Sequence, residues 1–574
     1  MSLMPLVLLV VAALPQVSSG TEVTEVGDAY LRLVAAQDPR LSLGLGYAVK
    51  DLPDLSQGQE EKDAAQAKLL LARLDAVSPS DLSHDQALSL DILKRRLQAI
   101  EESPKFRFLR FPVTPYASPI GPVAAFFEAL PLENAAETAN YLRLLKRYPA
   151  FLGSIKGVLD QGLGHGTVLS SSELDKSIAF VTSYAEASPS PFEPKPGRLA
   201  KLSPAEADAF RKELQGVIKK DVNPAFERLA KFLSGEYKSW SPDAVGLSQY
   251  TGGGEYYAWL VRLHTTMNVT PQQVHERGLA EVARVEAEMM KVRQELGYKG
   301  PASTFRDSLR KDPRFFPKTP EEIEERLMAH VHRIEPRIDE YFLRKPKAPY
   351  GVRRLAPELE AGETFGHYAP PLPGETGYYF FNGSRLEERS LLNAAALIYH
   401  ELVPGHHFQI NLAAENEGLP PFRRNLTDTA YTEGWGEYSS ILAGEMGMYA
   451  DPYDHYGRLA MDMFLSTRLV VDTGMNALGW SREKAVEYMR DHLMETDVQI
   501  ASESLRYSCD IPGQALAYKM GANRILELRE TARAALGSRF DIRRFHDAVL
   551  SPGSLPMATL EGHIRWFVEQ EKKQ

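Results

Sequence analysis

The chain has 574 residues, 44 % of them hydrophobic, with 66 basic against 76 acidic side chains. A chain of that length can bury a large core, and the acidic balance argues against a nucleic-acid partner. The single cysteine, Cys509, excludes an internal disulfide, so stability has to come from the core.

Residues 1–20 read as a signal peptide. Leu6 through Leu14 is an unbroken apolar run, Pro15 ends it, and Ser18-Ser19-Gly20 supplies small residues for cleavage. The run is shorter than the ~20 residues a membrane span needs. No cysteine lies beside it to take a lipid anchor. The expectation is an exported protein, periplasmic or secreted, with no membrane contact after cleavage.

Residues 21–240 are expected to form an N-terminal helical lobe. Ala64 through Leu74 and Leu82 through Ile100 carry apolar residues at three- and four-residue intervals. Pro112-Val113-Thr114-Pro115 and the stretch from Pro189 to Pro196 mark loops. Ser203-Pro204-Ala205-Glu206 starts a helix, with Ser at the N-cap, Pro at N1 and Glu at N3.

Residues 241–574 are expected to form a second lobe that carries the chemistry, with 21–574 reading as one continuous unit. Thr251-Gly252-Gly253-Gly254-Glu255 reads as a flexible loop or substrate-edge strand, without the lysine of a phosphate-binding loop. Thr270-Pro271-Gln272-Gln273 caps a helix to about Leu296, and His275 on it is either a surface or core residue of that helix or an active-site contact. Helical pattern returns from Thr319 to about Phe342. From Arg344 to Asn382, prolines deny helix and Tyr378-Tyr379-Phe380-Phe381 favours strand, so a small sheet is expected. Tyr379, Asn382 or Gly383 could pair with a substrate backbone at its edge.

Arg385 through Ala396 has helix-forming composition, and it leads into His400-Glu401-Leu402-Val403-Pro404-Gly405-His406-His407. A His-Glu pair ending an apolar helix is how zinc peptidases set a metal ligand beside a general base. The second histidine normally follows four residues after the first, and here that position is Pro404. A break at Pro404-Gly405 could return His406 to the metal. His407 keeps the helical phase of His400, but in a straight helix it would lie roughly 10 Å along the axis. His406 is the expected ligand, and His407 the alternate or a substrate contact. Downstream, Glu433 and Glu437 share a helix face. Glu433 is the expected third ligand, and Glu437 the acceptor of a ligand ring N–H.

The last informative cluster runs from Glu503 to Tyr518. Tyr507 or Tyr518 could stabilise an oxyanion. Arg506 could do the same, hold a peptide's terminal carboxylate, or serve a structural ion pair. Gln514 is a candidate substrate contact. Cys509 has no His-Asn arrangement to activate it and reads as buried and inert.

These strings, with Gly254-Glu255-Tyr256-Tyr257, Glu433-Gly434-Trp435-Gly436-Glu437-Tyr438 and Pro512-Gly513-Gln514, resemble the bacterial domain-of-unknown-function 885 family. That family is regarded as zinc-peptidase-like and related to the gluzincins. The resemblance implies a mostly helical, zincin-like metallopeptidase with a deep cleft between helical lobes and a small β element beside the metal. The expectation is a Zn²⁺-dependent peptidase of short peptides. Its rivals are a metal-free peptide-binding protein and a zinc hydrolase of other amides, such as cell-wall fragments.

Overall fold

The computed structural model describes residues 18–357, 360, 366–371 and 374–573. The apolar run at 6–14 with Pro15, and Pro373, lie outside the described residues.

Helices dominate, and several begin where the sequence supplies caps. Ser83 with Gln86, Ser203 with Glu206 and Thr270 with Gln273 each form a reciprocal capping box. The stretch 64–74 lies within the helix Gln57–Asp75, which turns Ala67, Leu70, Leu71 and Leu74 inward. Leu88, Leu93 and Leu97 do the same on His84–Glu102.

Two large cores organise these helices. One joins Phe127, Tyr141, Tyr148 and Phe226 of the N-terminal region to Met463, Leu465 and Val470 of the long helix Pro452–Ala477. The other joins Leu70 and Leu93 to Tyr399, Trp435, Ile525 and Phe545. The cores therefore do not divide at residue 240. The first helices of the chain share their apolar faces with those that carry His400 and Glu433.

The aromatic stretch forms a three-stranded sheet in the order β1-β3-β2, with β1 at Tyr350–Arg354, β2 at Gly366–Ala369 and β3 at Gly377–Phe381. β3 pairs in parallel with β1 and antiparallel with β2. It is the middle strand, so both its edges are occupied. Tyr379 faces the core at 1 % exposure. Asn382 is buried and donates to the Glu360 carbonyl at 2.6 Å, while Gly383 donates its amide to Glu360 Oε1 at 2.8 Å. The substrate edge expected at Tyr379, Asn382 and Gly383 is not available on this strand.

Two other segments depart from expectation. Gly253 begins the helix Gly253–Thr265 rather than lying in a flexible loop. Gly252 takes φ 77°, and a Cβ on Gly253 would stand 1.8 Å from the Leu247 carbonyl, so the glycines make a tight helix entry. Arg385 through Asn393 forms only a 3₁₀ turn at Leu386–Glu388. Arg385 sits at φ 50°, and Leu391 gives its N–H to the Phe315 carbonyl at 2.6 Å, outside any helical ladder. The helix starts at Ala394.

Candidate metal centre

The helix Ala394–Glu401 stops immediately after the His-Glu pair, and a second helix, His406–Ala414, begins four residues later. The interruption at Leu402–Gly405 turns the chain back on itself. A Cβ on Gly405 would lie 1.8 Å from the His400 carbonyl, so only glycine fits where the second helix crosses the end of the first. Pro404 leaves its carbonyl outside any helix. That carbonyl accepts from Trp435 Nε1 at 2.9 Å and from Ser439 Oγ at 3.2 Å.

Those two donors lie on the helix Thr429–Glu445, which also carries Glu433. Its close approach rests on two glycines. A Cβ on Gly436 would meet the His400 ring at 2.8 Å, and one on Gly434 would meet the Gly521 backbone at 2.6 Å. The Glu-Gly-Trp-Gly pattern thus packs one helix against a ligand ring and against the neighbouring helix Leu516–Leu536.

The result is a convergence of two imidazoles and one carboxylate. His400 Nε2 lies 3.5 Å and His406 Nε2 3.4 Å from Glu433 Oε2. All three candidate ligand atoms fall within 4.8 Å of one another. In a tetrahedral zinc site with ligand bonds near 2.1 Å, neighbouring ligands stand about 3.4 Å apart. The separations to Glu433 match that spacing, and two nitrogens with one oxygen leave a fourth position for water. The residues therefore fit Zn²⁺. Burial opposes charge on Glu433, but the two histidines beside it hold its carboxyl well below the usual carboxylate range. Burial also opposes charge on His406, and the Glu433 carboxylate overrides it to raise the imidazole. Each partner stabilises the charged form of the other.

Glu401 is adjacent in sequence and half-buried beside the cluster. Its Oε2 accepts the backbone N–H of Tyr368 on β2 at 3.1 Å. Burial raises its carboxyl above the ordinary value, with both histidines pulling the other way. The sequence marks Tyr368 only as a strand-favouring aromatic residue, with no role at the site. It belongs to the same aromatic stretch, but only the strand order reveals that β2 reaches Glu401.

His407 is absent from the cluster. It is fully buried, with Nε2 3.0 Å from the Ala348 carbonyl and Nδ1 2.9 Å from the Tyr368 hydroxyl. Burial lowers its imidazole to about 4, so it is a neutral strut between the sheet and the helix. Glu437 accepts from Arg458 Nη2 at 2.7 Å rather than from a ligand ring. Among the described residues His406 Nδ1 has no hydrogen-bond partner.

Tyr518 stacks on the His400 ring, with centroids 6.1 Å apart and planes inclined by 17°. Burial raises its hydroxyl, with the Glu433 charge adding and Arg506 opposing. Arg506 donates to Gln514 Oε1 at 2.9 Å and lies under the Tyr116 ring at 5.5 Å. Tyr507 is fully buried and accepts from Arg468 Nε at 2.8 Å while donating to Glu503. Its hydroxyl is committed to that network. Cys509 is buried, its thiol pushed up to about 11 by burial.

Residues 39–564 match the family described as "Bacterial protein of unknown function (DUF885)". The chain belongs to that family. A crystal structure described as the "putative lipoprotein from Colwellia psychrerythraea" is 25 % identical, covering 97 % of this chain and 100 % of its own, with a TM-score of 0.91. A "putative lipoprotein of unknown function from Shewanella oneidensis" is 18 % identical over 95 % of this chain and 99 % of its own, with a TM-score of 0.71, and shares the fold. No curated protein matches the chain.

Proposed function

We propose that this DUF885 protein is an exported zinc-dependent peptidase acting on short peptides. The observation that carries the reading is the convergence of His400, His406 and Glu433 at ligand spacing, with the half-buried Glu401 carboxylate next to them. Zn²⁺ held by those three residues supplies Lewis-acid polarisation of the scissile carbonyl and lowers the pKa of a water. Glu401 accepts the proton of the attacking water and delivers it to the leaving amine nitrogen. Its burial and raised pKa suit a group that must hold that proton between the two steps. Tyr518 donates its hydroxyl hydrogen to the developing oxyanion, and Arg506 keeps that hydroxyl oriented. β2 is an edge strand and lies beside Glu401, so backbone pairing with substrate falls to β2. The leader composition and the likeness to the Colwellia protein support export.

Zinc content and peptidase turnover of wild type, His400→Ala, His406→Ala, His407→Ala and Glu401→Gln test the reading. About one zinc per chain is expected, lost with His400 or His406 and retained with His407. Glu401→Gln should keep zinc and lose turnover. A wild type that cannot be loaded with zinc, or an active Glu401→Gln variant, overturns the mechanism.

A further inference from the structure

A second group of buried oxygens lies away from this centre. The other fully buried carboxylates among the described residues each have at least one ion pair or hydrogen bond, although Glu437 Oε2 lacks a partner of its own. Arg458 pairs with Glu437, Lys519 with Asp462, and Arg468 with Glu503. Arg277 and Arg284 pair with Glu281 and Arg354 with Glu360, while Asp472 accepts from the Tyr257 hydroxyl and the Gly513 amide. Glu173 and Asp510 have no ion pair. Both Glu173 oxygens and Asp510 Oδ1 lack hydrogen-bond partners.

Two hydroxyls join them. Thr114 Oγ1 and Ser177 Oγ are each fully buried and also without a partner. Thr114 and Glu173 approach Asp510 without forming an aligned hydrogen bond to it. Ser177 follows Glu173 by one turn on the same face of the helix Ser171–Glu186. Five unanswered oxygens thus come from three separate segments: the loop holding Thr114, this helix, and the turn Arg506–Asp510.

Leaving two carboxylates buried and unanswered costs several kcal/mol. A shared proton engages one oxygen of each acid and leaves the second Glu173 oxygen without a partner. A cation takes several oxygens at once and would engage both Glu173 oxygens together with Asp510 and Thr114, with Ser177 one helical turn from Glu173. The donors are all hard oxygens, and a carboxylate able to chelate through both atoms suits calcium better than the stricter octahedron of magnesium. The one nearby soft donor, Cys509 Sγ, is turned to Ser170 Oγ at 3.2 Å. Cationic side chains near the pair are engaged elsewhere or in solvent. Arg482 bonds Ser504 Oγ at 2.9 Å, Arg506 bonds Gln514, and Lys176 is exposed.

We propose that Thr114, Glu173, Ser177 and Asp510 bind a calcium-class cation, separate from the zinc centre. The ion ties the N-terminal helices to the turn that carries Arg506 and Tyr507, and so braces one wall of the candidate active site.

The test uses the full zinc-loaded chain in chelator-treated buffer, titrated with CaCl₂ and, separately, MgCl₂. Calcium is expected to raise Tm saturably by ~3 °C or more, and desalted protein should retain about one calcium per chain. Glu173→Gln should abolish the rise, and the milder Thr114→Val should weaken calcium affinity about tenfold. Calcium retention by wild type decides the matter even if Glu173→Gln does not fold. No retained calcium with no Tm response overturns the proposal, as does an equal rise in Glu173→Gln. The rival shared proton has its own signature. Glu173 is raised to about 9 by burial and by Asp510, so Tm would fall as pH rises toward 9. Glu173→Gln would remove that fall, and calcium would change nothing.

Discussion

Trp435 donates its indole N–H to the Pro404 carbonyl at 2.9 Å, and this bond joins the two sequence motifs that form the candidate metal centre. Pro404 interrupts the helix between His400 and His406, and the interruption would leave a buried carbonyl without a partner. The helix that brings Glu433 supplies that partner two residues later. The candidate histidines and the candidate carboxylate are thereby linked through the Pro404 carbonyl, which Ser439 of the same helix also contacts.

Trp435→Phe keeps most of the ring and removes the donor, leaving Ser439 alone on the carbonyl. The expected cost is about 1–2 kcal/mol of stability and a loss of zinc affinity on the order of tenfold. Urea unfolding with a zinc-competition titration measures both. Unchanged zinc affinity would show that the contact braces the fold without tuning the site.

Gly436→Ala tests the packing of the same helix on a ligand. The added methyl meets the His400 ring at 2.8 Å, closer than side-chain carbons normally come. The ring can rotate, so the protein should fold while zinc occupancy and turnover drop together. Metal content of the soluble variant, set beside its circular dichroism spectrum, is the check.

Tyr518→Phe and Tyr507→Phe separate the two tyrosines. Losing the Tyr518 hydroxyl should lower kcat about 10²–10³-fold with little change in KM, as for other oxyanion donors. Losing the Tyr507 hydroxyl removes the bonds to Arg468 and Glu503, and should cost about 1–3 kcal/mol of stability with a smaller effect on kcat. Steady-state kinetics and thermal melts on the same preparations distinguish them. The reverse pattern would assign the chemistry to Tyr507.

The convergence of His400, His406 and Glu433 was legible in the sequence because each of these residues sits in a short local motif. His400 and Glu401 end one helix, Pro404-Gly405 announces a break, and Glu433 stands on a strongly patterned helix. What stayed hidden depends on distant partners. Glu437 reads as a candidate for a ligand ring until Arg458, 21 residues away, is found beside it. Tyr507 and Tyr518 look equivalent until the π-helical turn Arg506–Asp510 swings Tyr507 into the Arg468–Glu503 network. The helix expected from Arg385 is replaced by a 3₁₀ turn, with Arg385 in the left-handed region and the Leu391 N–H given to the distant Phe315 carbonyl. Composition indicates a small sheet but not its strand order, and that order moves the open edge from Tyr379 to β2.

Acid sensitivity should come in part from His546. This imidazole is fully buried, with Nδ1 2.8 Å from the Tyr341 carbonyl and Nε2 2.7 Å from the Tyr438 hydroxyl, and it stacks on Phe342. Burial lowers it to about 3 from the usual 6.5. The folded state therefore binds fewer protons than the unfolded chain between those values. Its contribution is fully present above pH 6.5 and is lost progressively as pH falls toward 3. One such group gives a slope of up to about 1.4 kcal/mol per pH unit. His546→Gln should be less stable at pH 7, because two hydrogen bonds and a stacked ring are disturbed, but its stability should fall less steeply on acidification. Urea midpoints at pH 7, 6 and 5 measure the difference in slope. Parallel curves for variant and wild type would place the acid sensitivity elsewhere, with His563, lowered to about 4 by burial, the next group to vary.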